Sequence, residues 1–379
     1  MIEDGYRKYS RTPAVLGVYM FRRIRRHIIL SSAIILLFGT AGCSLANEVD
    51  SNQGKAMFPD AGVWGMVIHY PYRSGIKEIG SQWVRLSIRW KDEETIARGS
   101  YNWVNPDKLI SHYLDKGFKV MAILTLEDIS PLYEVDKGNQ KLVIDAIAKL
   151  CGAVAGRYKG KGILWELSNE PEVFPMGGYW NVPETYTRMA RKAAKAIKAA
   201  DPTAKVGAIS MAWVDRDFMS RCMKAGLLSD GTINVVTYHG YHRHNLMADS
   251  GLAEDVAWMR QVIAENAPKG KQIIIADSER GYARLPFLTP KPTGNWRNQV
   301  YTESEQAAYL ARHYFETIYL GVEIAAWYKD MFGEDEFSVY YSDQNDPKGL
   351  RPMGHVYRNM ADLLPENPTK LKNDKYSVL

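Results

Sequence analysis

Cysteine occurs only three times in 379 residues, too few to staple a small scaffold together with disulfides. Long apolar runs are also missing. The clearest one, Ile28 to Phe38, is about half the roughly 20 residues that cross a bilayer as a helix, so a multi-span membrane protein is excluded. No proline- or serine-rich linker and no close internal repeat divides the chain after residue 57. Charge of one sign is absent from the same region. The chain has 48 basic and 43 acidic side chains; residues 1–42 hold seven and two of these, which leaves 41 of each sign beyond them. A balanced domain gives no electrostatic reason to bind nucleic acid, and a neutral polysaccharide suits it well. What is plentiful is aromatic: ten Trp and twenty-three Tyr, side chains that build cores and also line sugar sites.

The basic residues at the start have a pattern. Met20-Phe21-Arg22-Arg23-Ile24-Arg25-Arg26 precedes the apolar stretch, and Gly39-Thr40-Ala41-Gly42-Cys43 follows it. Positive charge, a short apolar core and small residues describe a secretory signal. The small residues before Cys43 resemble a bacterial lipobox, which implies that Cys43 is lipidated, becomes the first mature residue and anchors the protein to a membrane. The expected organisation is a signal over 1–42 with translation starting at Met20, a polar tether over 43–57, a catalytic domain over 58–365 and a tail over 366–379. Ser44 points to the outer membrane of a bacterial envelope.

Beyond the tether, eight short β-rich runs alternate with helical periodicity. They are Val63–His69, Trp83–Ile88, Lys119–Leu126, Ile163–Ser168, Lys205–Ser210, Val235–Tyr241, Gln272–Glu279 and Ile324–Lys329. Most are nearly continuous apolar segments, as strands covered on both faces should be. Helices are expected over Pro106–Lys116, Asn139–Tyr158, Pro183–Ala200, Asp215–Ala225, Ala253–Asn266, Thr302–Tyr319 and Pro352–Leu364, with a short first crossover near Gly75–Gly80. The first strand runs into His69-Tyr70-Pro71-Tyr72 without a glycine-rich phosphate loop, which argues against a doubly wound sheet. Eight such units point to a single (β/α)8 barrel, a fold that needs about 250 residues.

Barrel chemistry sits where strands end at the C-terminal face. Strand four ends Trp165-Glu166-Leu167-Ser168-Asn169-Glu170-Pro171, and strand seven ends Ala276-Asp277-Ser278-Glu279-Arg280. Two carboxyls facing each other across the mouth, one protonated and one ionised, are what glycosidic-bond cleavage requires. Alternation points Glu166 with Ser168 and Glu170, and Asp277 with Glu279; the inner pair reads as buried support.

The strand-four sequence resembles the Asn-Glu-Pro motif of clan A retaining glycoside hydrolases of the family 39 and family 5 types, including those of bacterial exopolysaccharide operons. The resemblance covers almost all of 58–365. It implies that Glu170 is the general acid/base and Glu279 the nucleophile. It implies that Asn169 binds the sugar 2-hydroxyl, that Arg85 in Trp83-Val84-Arg85-Leu86 supports the nucleophile, and that His239 and Tyr241 of Tyr238-His239-Gly240-Tyr241 complete the centre. Trp327 matches the strand-eight ring that floors the sugar subsite. Arg280 stands where an aromatic residue commonly follows the nucleophile, and Leu124-Thr125-Leu126-Glu127-Asp128 ends strand three without a clear sugar ligand. Trp64, Trp90, Trp180, Trp213, Trp296 and Tyr282 are candidate subsite aromatics.

His239, His242 and His244 invite a metal reading, yet they lie on one short segment without a carboxylate or cysteine partner, and the resembled chemistry needs neither metal nor cofactor. Cys151 and Cys222 belong to helices separated by another helix and are expected as free thiols. The aperiodic stretch from Ala283 to Thr302, with three prolines, is expected to wall the cleft. The activity implied is retaining hydrolysis of a β-linked secreted or capsular polysaccharide by a monomeric lipoprotein. A non-catalytic polysaccharide-binding lipoprotein and a transglycosylase are the alternatives.

Overall fold

The computed structural model describes residues 56–69, 72, 75–173, 181–241, 251–283, 301–329, 337–341 and 349–364. The signal, Cys43, nearly all of the tether, the tail, and the expectations on Trp180, His242, His244, Trp296 and the wall after strand seven lie outside them.

Eight parallel strands close into a barrel in sequence order. They are β1 (Trp64–Val67), β2 (Trp83–Arg89), β3 (Lys119–Thr125), β4 (Leu164–Leu167), β5 (Lys205–Met211), β6 (Val235–His239), β7 (Ile274–Arg280) and β8 (Ile324–Trp327). Around them run α1 (Trp90–Glu93), α2 (Val104–Asp115), α3 (Gln140–Arg157), α4 (Pro183–Ala200), α5 (Arg216–Lys224), α6 (Leu252–Asn266), α7 (Glu303–Tyr319) and α8 (Pro352–Leu363). Between β1 and β2 the described residues hold only a 3-10 turn, Gly75–Lys77. No helix among the described residues is long and apolar enough to cross a membrane.

Local chemistry sets the helix starts. Asn139 and Asp215 cap α3 and α5 through their side chains, and Thr302 with Glu305 forms a reciprocal capping box on α7. Pro183 and Pro352 open α4 and α8, where the missing N–H costs nothing.

The core has two layers. One lies between strands and helices. The other fills the barrel floor: Trp83, Met121, Leu164, Val235, Ile274, Ala276 and Ile324 point inward from the first turns of their strands. Met57, Phe58 and Ala61 stopper that floor from below, with the Phe58 ring edge-on to Trp83 at 4.8 Å. Trp83 is buried, and its indole N–H donates to the Gly62 carbonyl at 3.1 Å. Trp83→Ala should therefore cost about 3–5 kcal/mol, since the closed barrel cannot collapse into the hole. Chemical denaturation of the two proteins measures it, and a loss under 1 kcal/mol would mean that the floor is not packed as described.

Two strand ends break register. Along β5 one extra residue, Ser210, bulges against β6, with Ile209 and Ser210 at φ values of 87° and 46°. Along β7 one extra residue, Ser278, bulges against both β6 and β8. Bulges beside active sites re-aim side chains, and this one corrects the expected alternation. Ile274 and Ala276 face the barrel interior. After the bulge Glu279 faces inward, whereas Asp277 points to the helix side, next to His313 of α7.

Candidate active site

Arg85 organises the C-terminal mouth. It rises from the inner face of β2 and is 1% exposed. Its Nε donates to Glu166 Oε2 at 2.7 Å and its Nη1 to Glu279 Oε2 at 2.6 Å. Its Nη2 reaches Asn169 Oδ1 at 2.9 Å, His239 Nε2 at 3.1 Å and Ser210 Oγ at 3.3 Å. One guanidinium thus joins strands two, four, five, six and seven. It also identifies Glu166 as the buried inner carboxylate that balances it.

Glu279 is held from both sides, because the Tyr241 hydroxyl donates to its Oε1 at 3.0 Å. Burial raises the Glu279 carboxyl. His239, the Arg85 charge and the hydrogen bonds from Tyr241 and Arg85 together outweigh that, and it lies below its ordinary value. It is therefore ionised at neutral pH. Tyr241 moves the other way: burial, the Glu279 charge and Tyr328 keep its hydroxyl well above the ordinary value, and so a donor.

Glu170 sits beyond the end of β4 in a left-handed conformation, φ 46°, with Ser168 at φ 68°. Each such non-glycine residue costs about 1–3 kcal/mol and persists only where its surroundings enforce it. The Ser168 N–H donates to the Leu124 carbonyl at 3.0 Å and the Glu170 N–H to the Ser210 carbonyl at 2.9 Å. The Glu170 side chain meets His239, Nδ1 to Oε1 at 2.7 Å. Burial lowers the His239 imidazole, but the Glu279 charge and the Glu170 hydrogen bond raise it further, and the balance is upward. With a guanidinium donor on Nε2, the proton belongs on Nδ1, where it is donated to Glu170.

The two outer carboxyls and the imidazole converge: one oxygen of Glu170, one of Glu279 and a ring nitrogen of His239 all lie within 4.8 Å of one another. Both glutamates keep part of their side chains exposed, 14% each. This separation is near the about 5–5.5 Å of a nucleophile and acid/base pair, and short of the about 6.5–9.5 Å that leaves room for an inverting water. A three-group cluster of this kind also matches a metal-ligand pattern, but both imidazole nitrogens are already engaged and Arg85 supplies the positive charge.

Seven of the eight expected site residues fall among the described ones. Glu170, Glu279, Asn169, Arg85, His239 and Tyr241 come together; Cys43 is outside. Trp327 is placed differently. It is 1% exposed in the layer between strands and helices, 5.8 Å from the Tyr282 ring. Ile324 belongs to the interior layer of the barrel, so alternation along β8 turns Trp327 outward and its neighbour Tyr328 inward. Tyr328 is partly exposed and meets the His69 ring edge-on at 4.9 Å. Trp64 and Trp90 are also core residues, each at most 1% exposed; Trp64 stacks on Tyr314, and the Trp90 indole bonds to Glu94 at 2.5 Å. Tyr282 is buried against Arg280, while Trp213 stays partly exposed. Arg280 also faces away from the centre, 3.7 Å from Asp277. Arg89 pairs with Asp128 at the surface. Cys151 and Cys222 are free and buried.

Two residues were not anticipated. Ser210 touches both Arg85 and His239, at 3.2 Å from the latter. Glu127, at the end of strand three, accepts the Asn169 N–H at 3.3 Å. Its inward position in the alternation of Met121, Ile123 and Thr125 was the available signal.

Known proteins resemble this chain in sequence family and in fold. The family described as Cellulase (glycosyl hydrolase family 5) matches residues 49–283. Among solved structures, a family 39 glycoside hydrolase from Bacteroides cellulosilyticus WH2 superposes with a TM-score of 0.62 at 16% identity, over 79% of this chain and 63% of that one. The present chain thus spans less than two thirds of that protein. An endoglucanase from Thermotoga maritima gives 0.55 at 16% identity, over 78% and 96%. A β-xylosidase from Caulobacter crescentus gives 0.54 at 18% identity, over 79% and 69%. No curated protein matches significantly in sequence. At these identities the structural likenesses speak to fold.

Proposed function

Because the chain belongs to the cellulase family, glycosyl hydrolase family 5, we propose that it is a retaining glycoside hydrolase of the clan A type, with Glu279 and Glu170 as nucleophile and acid/base, acting on a β-linked polysaccharide. The observation that carries this reading is the approach of one Glu170 oxygen and one Glu279 oxygen to within 4.8 Å, with the Arg85 guanidinium bonded to Glu279.

In this mechanism Glu279 attacks the anomeric carbon as Glu170 gives its proton to the departing oxygen. His239 donates to Glu170 Oε1, which leaves Oε2 to carry the transferable proton. Arg85 and Tyr241 fix both oxygens of Glu279, so attack needs little reorganisation. In the second step Glu170 takes a proton from water, the water oxygen bonds to the anomeric carbon, and the Glu279 ester is released. Asn169, oriented by Arg85, faces the sugar 2-hydroxyl. The ring beneath the sugar is Tyr328, in the role that the resemblance implied for Trp327.

The substrate is a secreted or capsular exopolysaccharide, and the protein reaches it as a lipoprotein of the bacterial envelope anchored through Cys43. The export signal and the charge-balanced domain support this part. A 2-deoxy-2-fluoro aryl glycoside, which traps the covalent intermediate, tests the assignment: digestion and mass spectrometry should find the sugar on Glu279. Modification at another carboxylate would overturn it.

A further inference from the structure

Three carboxyls outside the catalytic pair share one arrangement. Glu127, past β3, accepts the N–H of Asn169 past β4 at 3.3 Å. Glu172, past β4, accepts the N–H of Ala212 past β5. Asp277, in β7, accepts the N–H of Gly240 past β6 at 2.9 Å. Each reaches from one strand end to the backbone of a neighbouring one. Each braced amide adjoins a group of the centre: Asn169 precedes Glu170, Ala212 follows the Ser210 bulge, and Gly240 separates His239 from Tyr241. The Gly240 contact is tight enough that a Cβ there would stand 2.7 Å from Arg280 Nη1 and closer still to Asp277.

We propose that Glu127, Glu172 and Asp277 are positioning residues, three carboxyl braces that hold the strand ends in their catalytic geometry, and that this geometry is most stable while they are uncharged. The inference rests on the reading of Glu170 and Glu279 as the catalytic pair. Left-handed residues at 168, 170, 209 and 210 need external support, and the Glu127 and Glu172 braces bond to backbone inside or close to those segments.

The braces are poorly placed to carry charge. Glu127 faces Asp128 on its own strand end and Ser168 and Asn169 across from it; burial outweighs the amide bonds and lifts its carboxyl to about 7. Glu172 faces Glu170 and His239, with Tyr186 and Cys222 behind it, and burial lifts it to about 8. Its Oε2 is buried without a hydrogen-bond partner among the described residues. Asp277 lies on the helix side beside His313 at 3.3 Å, Arg280 at 3.7 Å and Tyr238, within the fields of His239 and Glu279, and burial lifts it to about 7. All three are raised above their unfolded values. The stability they contribute is therefore complete below their unfolded values, about 4, and is lost progressively as pH rises to about 7 to 8. The amide bonds themselves favour the charged form, so the loss comes from the cost of a buried charge and not from a weakened bond.

Neutral isosteres test this, because Gln and Asn keep an acceptor oxygen and cannot ionise. For E127Q, E172Q, D277N and the triple variant, melting temperature and activity on an aryl β-glycoside are followed from pH 5.5 to 9. In the native protein the melting temperature should fall from pH 5.5 to about 8 and level off above, and the triple variant should lose most of that fall. Its ratio of activity at pH 8.5 to that at pH 6 should rise by roughly an order of magnitude. Ionisation of Glu170 itself also limits activity at high pH, so both profiles are repeated in Glu170→Gly with azide, where that ionisation is gone; the alkaline limb that remains should move with the braces. Unchanged melting profiles and an unmoved limb in the triple variant would overturn the proposal. If the triple variant does not fold, the single variants carry the same comparison. Failure of the catalytic assignment would show separately, as Glu170→Gly keeping native activity without azide.

Discussion

Glu279→Gln is expected to lose about four orders of magnitude or more in kcat, because the amide cannot form the covalent bond on which both chemical steps depend. The substitution is nearly isosteric. Tyr241 and Arg85 still find partners at position 279, and Arg85 keeps its bond to Glu166 at 2.7 Å, so the guanidinium is not stranded. The melting temperature and near-UV spectrum should therefore stay close to native while turnover disappears. Steady-state kinetics on an aryl β-glycoside gives the answer; a variant that keeps the native rate removes Glu279 from the mechanism. The environment that lowers the Glu279 carboxyl has a corollary for pH. Its contribution to stability is present above the unfolded value and is lost as pH falls through the lowered folded one, so the nucleophile remains charged in mildly acidic solution.

Glu170→Gly should lose roughly 10²–10⁴-fold on substrates whose departing group needs a proton, the range typical of a missing general acid. With an activated aryl group the first step no longer needs that proton, and the glycosyl-enzyme accumulates. Azide, small and already anionic, should then enter the space left by the side chain and restore turnover. The product should be a glycosyl azide with the configuration of the substrate, because two displacements occur at one carbon. A product of opposite configuration would indicate a single displacement by azide in place of water, and Glu279 would then be acting as a base.

Much of the barrel can be read from periodicity. Strands two, three and five lie within a residue of their expected limits, and α4 coincides with its expected span. These segments are nearly continuous apolar runs or begin at proline, and burial on both faces leaves little ambiguity. The two outer glutamates stand out in the sequence because they end strands on opposite sides of the mouth and one of them lies in an Asn-Glu-Pro motif.

The bulge at Ser278 was not visible. An extra residue on one strand is a property of pairing with β6 and β8, and no glycine or proline marks it locally. Simple alternation therefore grouped Asp277 with Glu279, though one faces the helices and the other the barrel interior. The same kind of error exchanged Trp327 for Tyr328. Ring size and motif position favoured the Trp, whereas direction is decided by which residue of β8 follows Ile324 and Ala326 on the inner face. Glu127 and Ser210 escaped notice because their roles are exercised through a neighbour's amide or guanidinium, and such partners become apparent only in three dimensions.

The stopper of Met57, Phe58 and Ala61 separates two jobs in space. Residue 57 meets the barrel at the pole where strands begin, and the reacting carboxyls stand where strands finish. A support that grips the barrel at residue 57 and a molecule held between Glu170 and Glu279 occupy opposite poles, so immobilisation at that residue does not compete with binding at the other pole.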